Sequence, residues 1–144
     1  MSKDNSDATR NTQHVEVAAG LIFHNGKLLI AQRHPEAHLG GLWEFPGGKR
    51  DPHESFEECL RRELKEELGI DVEVQELVES IQHQYPEKNV SLKFFRCSLG
   101  RQEPRALGCP AFCWVNREEL LDYEFPAADA RLLEKLQESE TIWG

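Results

Sequence analysis

Apolar residues in the first third of the chain are spaced as in short β-strands. They dominate residues 15–23 and recur over residues 28–31. Between the two runs lie Asn25 and Gly26, the pair that most favours a two-residue turn between antiparallel strands. The two runs therefore predict a β-hairpin.

A spacing typical of a helix begins at Ser55 and ends at Leu68. Ser55 and Glu58 form a capping-box pattern at its start, and Gly69 is a suitable stop. A rotation of about 100° per residue places the apolar side chains on one face: Phe56, Cys59, Leu60, Leu64 and Leu68. We predict a capped helix with one buried face.

The segment between the hairpin and this helix reads as irregular. Residues 33–42 form a loop rich in His and Gly, and residues 43–45 form a short extended piece. The Pro46-Gly47-Gly48 sequence is expected to break regular structure.

The second half of the chain predicts more strands and a final helix. Strands are expected over residues 72–81, 90–98 and 112–115, the first two joined around Pro86. Residues 100–110 form a loop. Asn116 is expected to cap a turn of helix through residue 121.

Pro126 suits the first turn of the last helix, which runs to about residue 137. Mixed strands with one helix midway and another at the end predict an α/β domain of helix–sheet–helix layers. At 144 residues the chain fits one domain. We place that domain at residues 15–138, after a polar lead-in over 1–14 and before a short tail over 139–144.

Composition narrows the functional classes. The net charge of −9 opposes binding to a nucleic acid backbone, so no polymeric DNA or RNA partner is expected. No apolar run approaches the roughly 20 residues that cross a bilayer, and the lead-in lacks the apolar core of a signal peptide. A cytoplasmic location follows as an expectation, and with it four reduced cysteines.

Three carboxylates on the predicted helix carry the chemistry. Glu63 and Glu67 fall inside the apolar arc, and Glu66 lies at its edge. An unpaired buried carboxylate is so costly that it normally shifts its pKa, finds a partner or binds a metal. Their spacing therefore indicates a divalent cation site.

The segment GKRDPHESFEECLRRELKEELGI resembles the Nudix box, the family signature G-x5-E-x7-R-E-U-x-E-E-x-G-U in which U is bulky and apolar. Every fixed position is present: Gly48, Glu54, Arg62, Glu63, Leu64, Glu66, Glu67, Gly69 and Ile70. The wider run LLIAQRHPEAHLGGLWEFPGGK looks like the MutT-type branch of this family. The resemblance implies a Nudix-type α/β/α sandwich with a mixed sheet.

The resemblance also implies roles for the box. Glu66 and Glu67 would bind Mg²⁺, or alternatively Mn²⁺, and Glu63 would be a further ligand or the base that orients water. The backbone carbonyl of Gly47 is a candidate ligand, and Arg62 would hold a carboxylate by paired hydrogen bonds. Which glutamate takes the proton is left open.

Candidate substrate-binding residues lie outside the helix. The resemblance points to Arg33 after the second strand and to Gly48 of the box, and Lys49 next to it is also a candidate. His38 is a candidate because its loop should border the substrate. Phe45 is included as a base-stacking aromatic. A solvated Arg33 and a Phe45 packed in the core are the alternatives.

Asp129 stands where MutT-type enzymes place an Asn that contacts the base edge. An ionised Asp only accepts hydrogen bonds, so it would favour a base that presents N–H groups, as guanine, 8-oxoguanine and cytosine do. The alternative is an Asp that complements the dipole of the last helix. A second departure is Gly108, where the family usually has a loop carboxylate, and Glu103 is the nearest replacement.

The resemblance implies an enzyme: a Mg²⁺-dependent hydrolase that converts a nucleoside triphosphate into the monophosphate and pyrophosphate. Its expected role is sanitation of the nucleotide pool, with 8-oxo-dGTP or cytidine nucleotides as substrates. One rival is a Nudix hydrolase of ADP-ribose or another nucleoside diphosphate derivative. Another is a non-catalytic base-recognition domain like the C-terminal part of MutY. A small nucleotide is the expected partner of a monomer or homodimer, and no membrane partner is expected.

Overall fold

The computed structural model describes residues 13–144, so residues 1–12 of the predicted lead-in lie outside the described residues. Seven strands occur within the described range: β1 Gln13–His24, β2 Lys27–Gln32, β3 Trp43–Glu44, β4 Gly47–Lys49, β5 Glu73–Gln84, β6 Lys88–Ser98 and β7 Phe112–Val115. Two α-helices accompany them, α1 Phe56–Leu68 and α2 Ala130–Glu138. Short 3₁₀ turns cover Glu119–Asp122, Ala127–Asp129 and Thr141–Trp143.

The strands form one mixed sheet around β1. Its main path runs β3-β2-β1-β6-β5, with β4 paired to β1 and β7 paired to β2. The predicted hairpin is confirmed: β1 and β2 are antiparallel, and Asn25 and Gly26 both have positive φ, at 53° and 74°. The pairing of β1 with β6 is parallel, from Gln13 opposite Lys88 to Ile22 opposite Cys97.

Helices cover both faces of this sheet, which confirms the predicted α/β/α sandwich. Because side chains alternate along a strand, β1 contributes Ala18 and Ile22 to the core beneath α1, and Ala19 and Leu21 to the core beneath α2. Each helix buries its apolar stripe against its own side. The buried residues of α1 are Cys59, Leu60, Leu64 and Leu68, and those of α2 are Leu132 and Leu136.

The capping residues predicted at both ends of α1 make the expected interactions. The Ser55 hydroxyl accepts a hydrogen bond from the Glu58 amide at 3.0 Å, and the Glu58 carboxylate accepts one from the Ser55 amide at 2.8 Å. At the other end, Gly69 adopts the left-handed conformation, with φ of 67°. This capping fixes where the helix begins and ends, and so fixes the direction of its carboxylates.

The segment around Gly47 differs from the prediction of a break. Residues Gly47–Lys49 pair antiparallel with β1, placing Ala19 opposite Gly47. A Cβ at Gly47 would lie 2.0 Å from the Ala18 carbonyl oxygen, so only glycine permits this approach. A backbone contact with β1 that the local sequence does not reveal therefore makes β4 a strand.

The two ends of the described chain are part of the packed structure. Strand β1 begins two residues earlier than predicted, at Gln13. In the predicted tail, Trp143 is buried, packs edge-on against Phe23 at 5.5 Å between ring centroids, and donates from its indole nitrogen to the Leu136 carbonyl at 2.8 Å. No helix within residues 13–144 is long and apolar enough to cross a membrane.

The four cysteines are free thiols. Cys59, Cys97 and Cys109 are buried, and Cys113 is half-buried. Burial raises the pKa of the Cys59 and Cys97 thiols to about 12.

Candidate active site

A cavity of about 380 Å³ opens between the loop after β2, strand β4, helix α1, the β5–β6 turn and the segment before α2. All the predicted substrate-binding residues line it: Arg33, His38, Phe45, Gly48, Lys49 and Asp129. Gly47, Glu63 and Glu67 of the predicted metal set line it as well. Arg62 and Glu66 are not among the residues that line it. The fold therefore brings together residues that the sequence separates by more than eighty positions.

Arg62 organises the carboxylates of α1. Its guanidinium donates to both oxygens of Glu54, at 2.6 and 3.1 Å. It also contacts Glu63 Oε2 at 3.0 Å and Glu66 Oε1 at 3.3 Å, and donates to the Lys49 carbonyl at 3.2 Å. The hydrogen bonds from Arg62 lower the pKa of Glu54 to about 2. Glu54 is thus an ionised anchor for the arginine.

Glu63 lies between this arginine and the cavity. Its side chain is 18% exposed, and burial raises its pKa while Arg62 opposes the rise. The carboxylate packs directly on Gly48, where an added Cβ would lie 2.2 Å from the Glu63 Cδ. Glycine at position 48 therefore makes room for the carboxylate.

Glu67 is the most strongly perturbed of the three carboxylates. Burial, followed by the negative charges of Glu44 and Glu63, raises its pKa to about 9. Its Oε1 atom is buried and has no hydrogen-bond partner within residues 13–144. A buried acceptor without a partner is costly unless a ligand supplies one.

Glu66 has different surroundings. Its side chain is 62% exposed and pairs with Arg62 at the rim. The structure therefore separates an exposed carboxylate at position 66 from two enclosed ones, Glu63 and Glu67.

Arg33 pairs with a carboxylate that the sequence did not single out as functional. Its Nη1 lies 2.6 Å from Glu44 Oε1, and its Nε donates to the His38 carbonyl at 2.7 Å. Burial raises the pKa of Glu44, and the adjacent guanidinium opposes this rise. Arg33 is therefore a half-buried, paired side chain, and the alternative of a freely solvated arginine is wrong.

Asp129 lies at the start of α2 with 5% of its surface exposed. Its side chain makes no capping hydrogen bond, so the conventional capping role is absent. Burial, followed by the charge of Glu44, raises its pKa to about 7. The expectation of an Asp that only accepts therefore needs correction, because near neutral pH the protonated form also donates.

Aromatic and basic residues complete the wall beside Asp129. The Tyr85 hydroxyl accepts from the Ala128 amide at 3.2 Å, and the His38 ring meets Tyr85 edge-on at 5.0 Å. His38 Nε2 is buried and has no hydrogen-bond partner in the described part of the chain. Phe45 is buried and stacks on Phe125 with centroids 5.0 Å apart. It therefore belongs to the core as well as to the cavity wall.

Three cations face the same space. Burial lowers the pKa of Lys88, and the positive charges of Lys49 and Arg33 lower it further. Arg33, Lys49 and Lys88 all line the cavity. A cavity that gathers them beside enclosed carboxylates suits an anionic ligand that carries its own divalent cation.

The loop after β6 meets α1 at Glu67. The amides of Leu107 and Gly108 both donate to the Glu67 carbonyl at 2.9 Å. Gly108 is the position at which the family usually has a carboxylate, and a Cβ there would lie 3.2 Å from the Glu67 Cα. Glu103 is exposed and does not line the cavity, so it does not take that place.

The donor set fits a divalent cation. Glu67 offers an unpartnered buried oxygen, and Glu63 and Glu66 add carboxylate oxygens, the ligands that Mg²⁺ prefers. Within residues 13–144, no three acidic, His or Cys side chains already converge as metal ligands. Arg62 forms ion pairs with two of these carboxylates, Glu63 and Glu66.

Sequence reasoning missed Glu44, Tyr85 and Lys88. Glu44 lines the cavity, pairs with Arg33 and contributes to the raised pKa of Asp129. Tyr85 and Lys88 flank the β5–β6 turn, and only the parallel β1–β6 pairing brings that turn to the cavity. The only sequence signal for these three residues was that Glu44 is an acidic residue between Trp43 and Phe45, close to the box.

A model of the NUDIX domain family matches residues 18–135. The chain belongs to this family. The match covers most of the sheet, α1 with its carboxylates, and most of α2.

Named relatives share most of the chain. The CTP pyrophosphohydrolase of Escherichia coli (strain K12) is 40% identical over 120 residues, which cover 83% of this chain and 89% of that protein. The 8-oxo-dGTP diphosphatase of Proteus vulgaris is 46% identical over 91 residues, covering 62% and 80%. Among solved structures, the MutT protein of Methanosarcina mazei Go1 superposes with a TM-score of 0.79 at 25% identity, covering 88% of this chain and 95% of that one.

Proposed function

We propose that this chain is a Mg²⁺-dependent nucleoside triphosphate diphosphatase, which releases the nucleoside monophosphate and pyrophosphate. The observation that carries the proposal is that one cavity is lined both by Glu63 and Glu67 and by the cations Arg33, Lys49 and Lys88. That charge pattern suits a polyphosphate bound with a divalent cation. The relatives named CTP pyrophosphohydrolase and 8-oxo-dGTP diphosphatase support cytidine nucleotides and 8-oxo-dGTP as substrates, and sanitation of the nucleotide pool as the role.

In this proposal three carboxylates bind the metal and a fourth, Glu54, holds Arg62. Glu63 and Glu67 from the cavity wall, with Glu66 from the rim and the Gly47 carbonyl, would hold Mg²⁺ or Mn²⁺. The cation, when bound, would neutralise phosphate charge and lower the pKa of a bound water. Arg62 fixes Glu63 through one hydrogen bond and is itself held by two hydrogen bonds to Glu54. Glu63 is therefore a positioned carboxylate that can hold either a cation or a proton.

The proposed substrate-binding residues would contact the two ends of the nucleotide, its phosphates and its base. Lys49 and Lys88 attract the phosphates, because both are cations at the cavity. Asp129 and the half-buried pair of His38 and Tyr85 enclose the base, where hydrogen bonds to a buried group discriminate strongly between bases. Phe45 supports this end from the core.

The test is a panel of 8-oxo-dGTP, dGTP, CTP, dCTP and ADP-ribose with Mg²⁺, with products separated by ion-exchange chromatography. We expect pyrophosphate and a monophosphate from 8-oxo-dGTP or a cytidine nucleotide, and no turnover after EDTA. Glu57→Gln, an exposed carboxylate of the same helix outside the cavity, is the control for Glu67→Gln. Release of single phosphate, a higher kcat/KM for ADP-ribose, or full activity in EDTA would contradict the proposal.

A further inference from the structure

His34 joins the loop after β2 to the loop after β6. Its Nε2 atom lies 2.8 Å from the Gly108 carbonyl oxygen, although 74 positions separate the two residues. A carbonyl only accepts, so Nε2 carries the proton and donates it. His34 also lines the cavity, directly after the paired Arg33.

The loop that His34 holds is in contact with the end of α1. Residues 105–108, here called the helix-end turn, donate three backbone hydrogen bonds of 2.9 Å to the last carbonyls of the helix. Arg105 donates to Leu68, while Leu107 and Gly108 both donate to Glu67. These carbonyls lack partners inside the helix, so the turn serves as its C-terminal cap.

The contact between this turn and Glu67 is close. Gly108 lies so near that a Cβ there would be 3.2 Å from the Glu67 Cα and 3.4 Å from the Glu66 carbonyl oxygen. A shift of the turn would therefore be transmitted to the backbone from which the Glu67 side chain enters the cavity. A side chain that fixes Gly108 also fixes Glu67.

We propose that His34 is a positioning residue, which holds the helix-end turn on α1 through Gly108 and thereby fixes the orientation of Glu67. The imidazole acts through the backbone and needs no contact with substrate. The hydrogen bond is exposed, so its loss loosens the turn without unfolding the domain.

Amide hydrogen exchange measured by NMR on the metal-free protein tests this inference. His34→Ala and His34→Leu remove the donor, and His34→Gln supplies a side-chain N–H at similar length. We expect the Leu107 and Gly108 amides to exchange about 3- to 10-fold faster in the Ala and Leu variants, as for loss of one hydrogen bond, and to recover within about 2-fold in the Gln variant. Amides in β5 and β6 should be unchanged. His53→Ala, which alters an exposed histidine outside the cavity lining, is the matched control.

The kinetic part of the inference rests on the proposed function. If Glu67 serves the hydrolysis, the Ala and Leu variants should lower kcat by about 3- to 10-fold, and Gln should restore it. Wild-type exchange at Leu107 and Gly108 in the Ala and Leu variants, or a Gln variant as fast as Ala, would overturn the positioning role. A wild-type protein that hydrolyses no nucleotide would refute the proposed function, whereas the exchange experiment would still test His34.

Discussion

Glu66 and Glu67 are neighbours in the sequence, but the structure gives them opposite surroundings. Glu66 is exposed and paired with Arg62, whereas Glu67 carries a buried oxygen without a partner in the described residues. The difference follows from helical geometry, because consecutive side chains project about 100° apart and one turn of α1 has both a rim and a cavity side.

We expect Glu67→Gln to lower kcat by about 10²-fold or more, because charge stabilisation by a bound metal is usually worth several kcal/mol. Glu66→Gln should lower kcat to a similar extent, because a bound cation would draw the Glu66 carboxylate away from Arg62. Both variants should unfold within a few degrees of wild type, since Gln preserves the shape. Mg²⁺ should raise the Tm of wild type and of the Glu57→Gln control but not that of Glu67→Gln. Activity within 3-fold of wild type in both variants would remove the metal-ligand assignment.

Asp129 provides a pH-dependent prediction. Its folded pKa of about 7 lies above the ordinary value of 3.8, because burial and the charge of Glu44 disfavour ionisation while Arg33 favours it only weakly. The folded state therefore holds the extra proton between these values, and its stability falls as pH rises towards 7. The Asn side chain of Asp129→Asn cannot ionise. The free energy of unfolding of this variant should therefore rise relative to that of wild type as pH rises from 4 to 8. Denaturation curves in EDTA across this range would measure the difference, and a constant difference would refute the buried titration.

The same residue should control base preference. Below its pKa the acid of Asp129 both donates and accepts, as an amide does, and above it the carboxylate only accepts. We expect the kcat/KM ranking of 8-oxo-dGTP, dGTP and dCTP to change between pH 6 and pH 8.5 in wild type but not in Asp129→Asn. The change should be roughly 10-fold, as for a hydrogen bond to a charged group. Asp129→Ala should lower kcat/KM for the preferred nucleotide by a similar factor. An identical ranking in all three proteins would leave Asp129 without a role in base recognition.

At the scale of elements, local sequence signals were sufficient for α1 and for the β1–β2 hairpin. Ser55, Glu58 and Gly69 mark the helix ends by hydrogen bonds between near neighbours, and Asn25-Gly26 sets the turn by backbone conformation alone. Strand β4 was missed because its pairing is with distant β1 and leaves no periodic pattern in three residues.

The same distinction holds for the site. The box carboxylates were predictable because one helix carries them at fixed spacing. The contacts of Glu44 with Arg33 and of Tyr85 with His38 depend on packing between segments, so no local pattern encodes them. The pKa of Asp129 was not predictable either, since it reflects burial rather than residue type.

The two glycines of β4 should differ in what they tolerate. In Gly47→Ala the new Cβ meets the backbone of β1, 2.0 Å from the Ala18 oxygen, and we expect a loss of about 2 kcal/mol or more in stability. In Gly48→Ala the atoms nearest the new Cβ belong to the movable carboxylate of Glu63. That variant should remain folded, within about 1 kcal/mol of wild type, but lose at least roughly 10-fold in kcat. Urea denaturation and steady-state kinetics separate the two effects, and equal stability losses would contradict this account.

At the scale of the whole molecule, the last residues close the core beneath α2. Trp143 packs against Phe23, and the Arg96 guanidinium donates to the Ile142 carbonyl at 2.6 Å. The sheet, α2 and the C-terminal turn therefore form one packed unit.

We expect Trp143→Ala to lower the free energy of unfolding by about 3 kcal/mol, as is usual when a large buried aromatic residue is truncated. Glu140→Ala is the control, because its side chain is 83% exposed and its ion pair with Arg117 contributes little. Chemical denaturation of both variants measures the effect. A Trp143→Ala protein as stable as the control would show that these residues are a dispensable tail.

The burial of Cys59 and Cys97 makes these thiols resistant to oxidation. Peroxide attacks the thiolate form of cysteine, and a thiol with a pKa of about 12 carries almost none of it at neutral pH. Cys59, which donates to the Gly48 and Lys49 carbonyls behind the cavity, is therefore shielded from the chemistry that damages nucleotides. Oxidants that reach this side of the cavity would therefore meet a protonated thiol beside the Gly48–Glu63 contact.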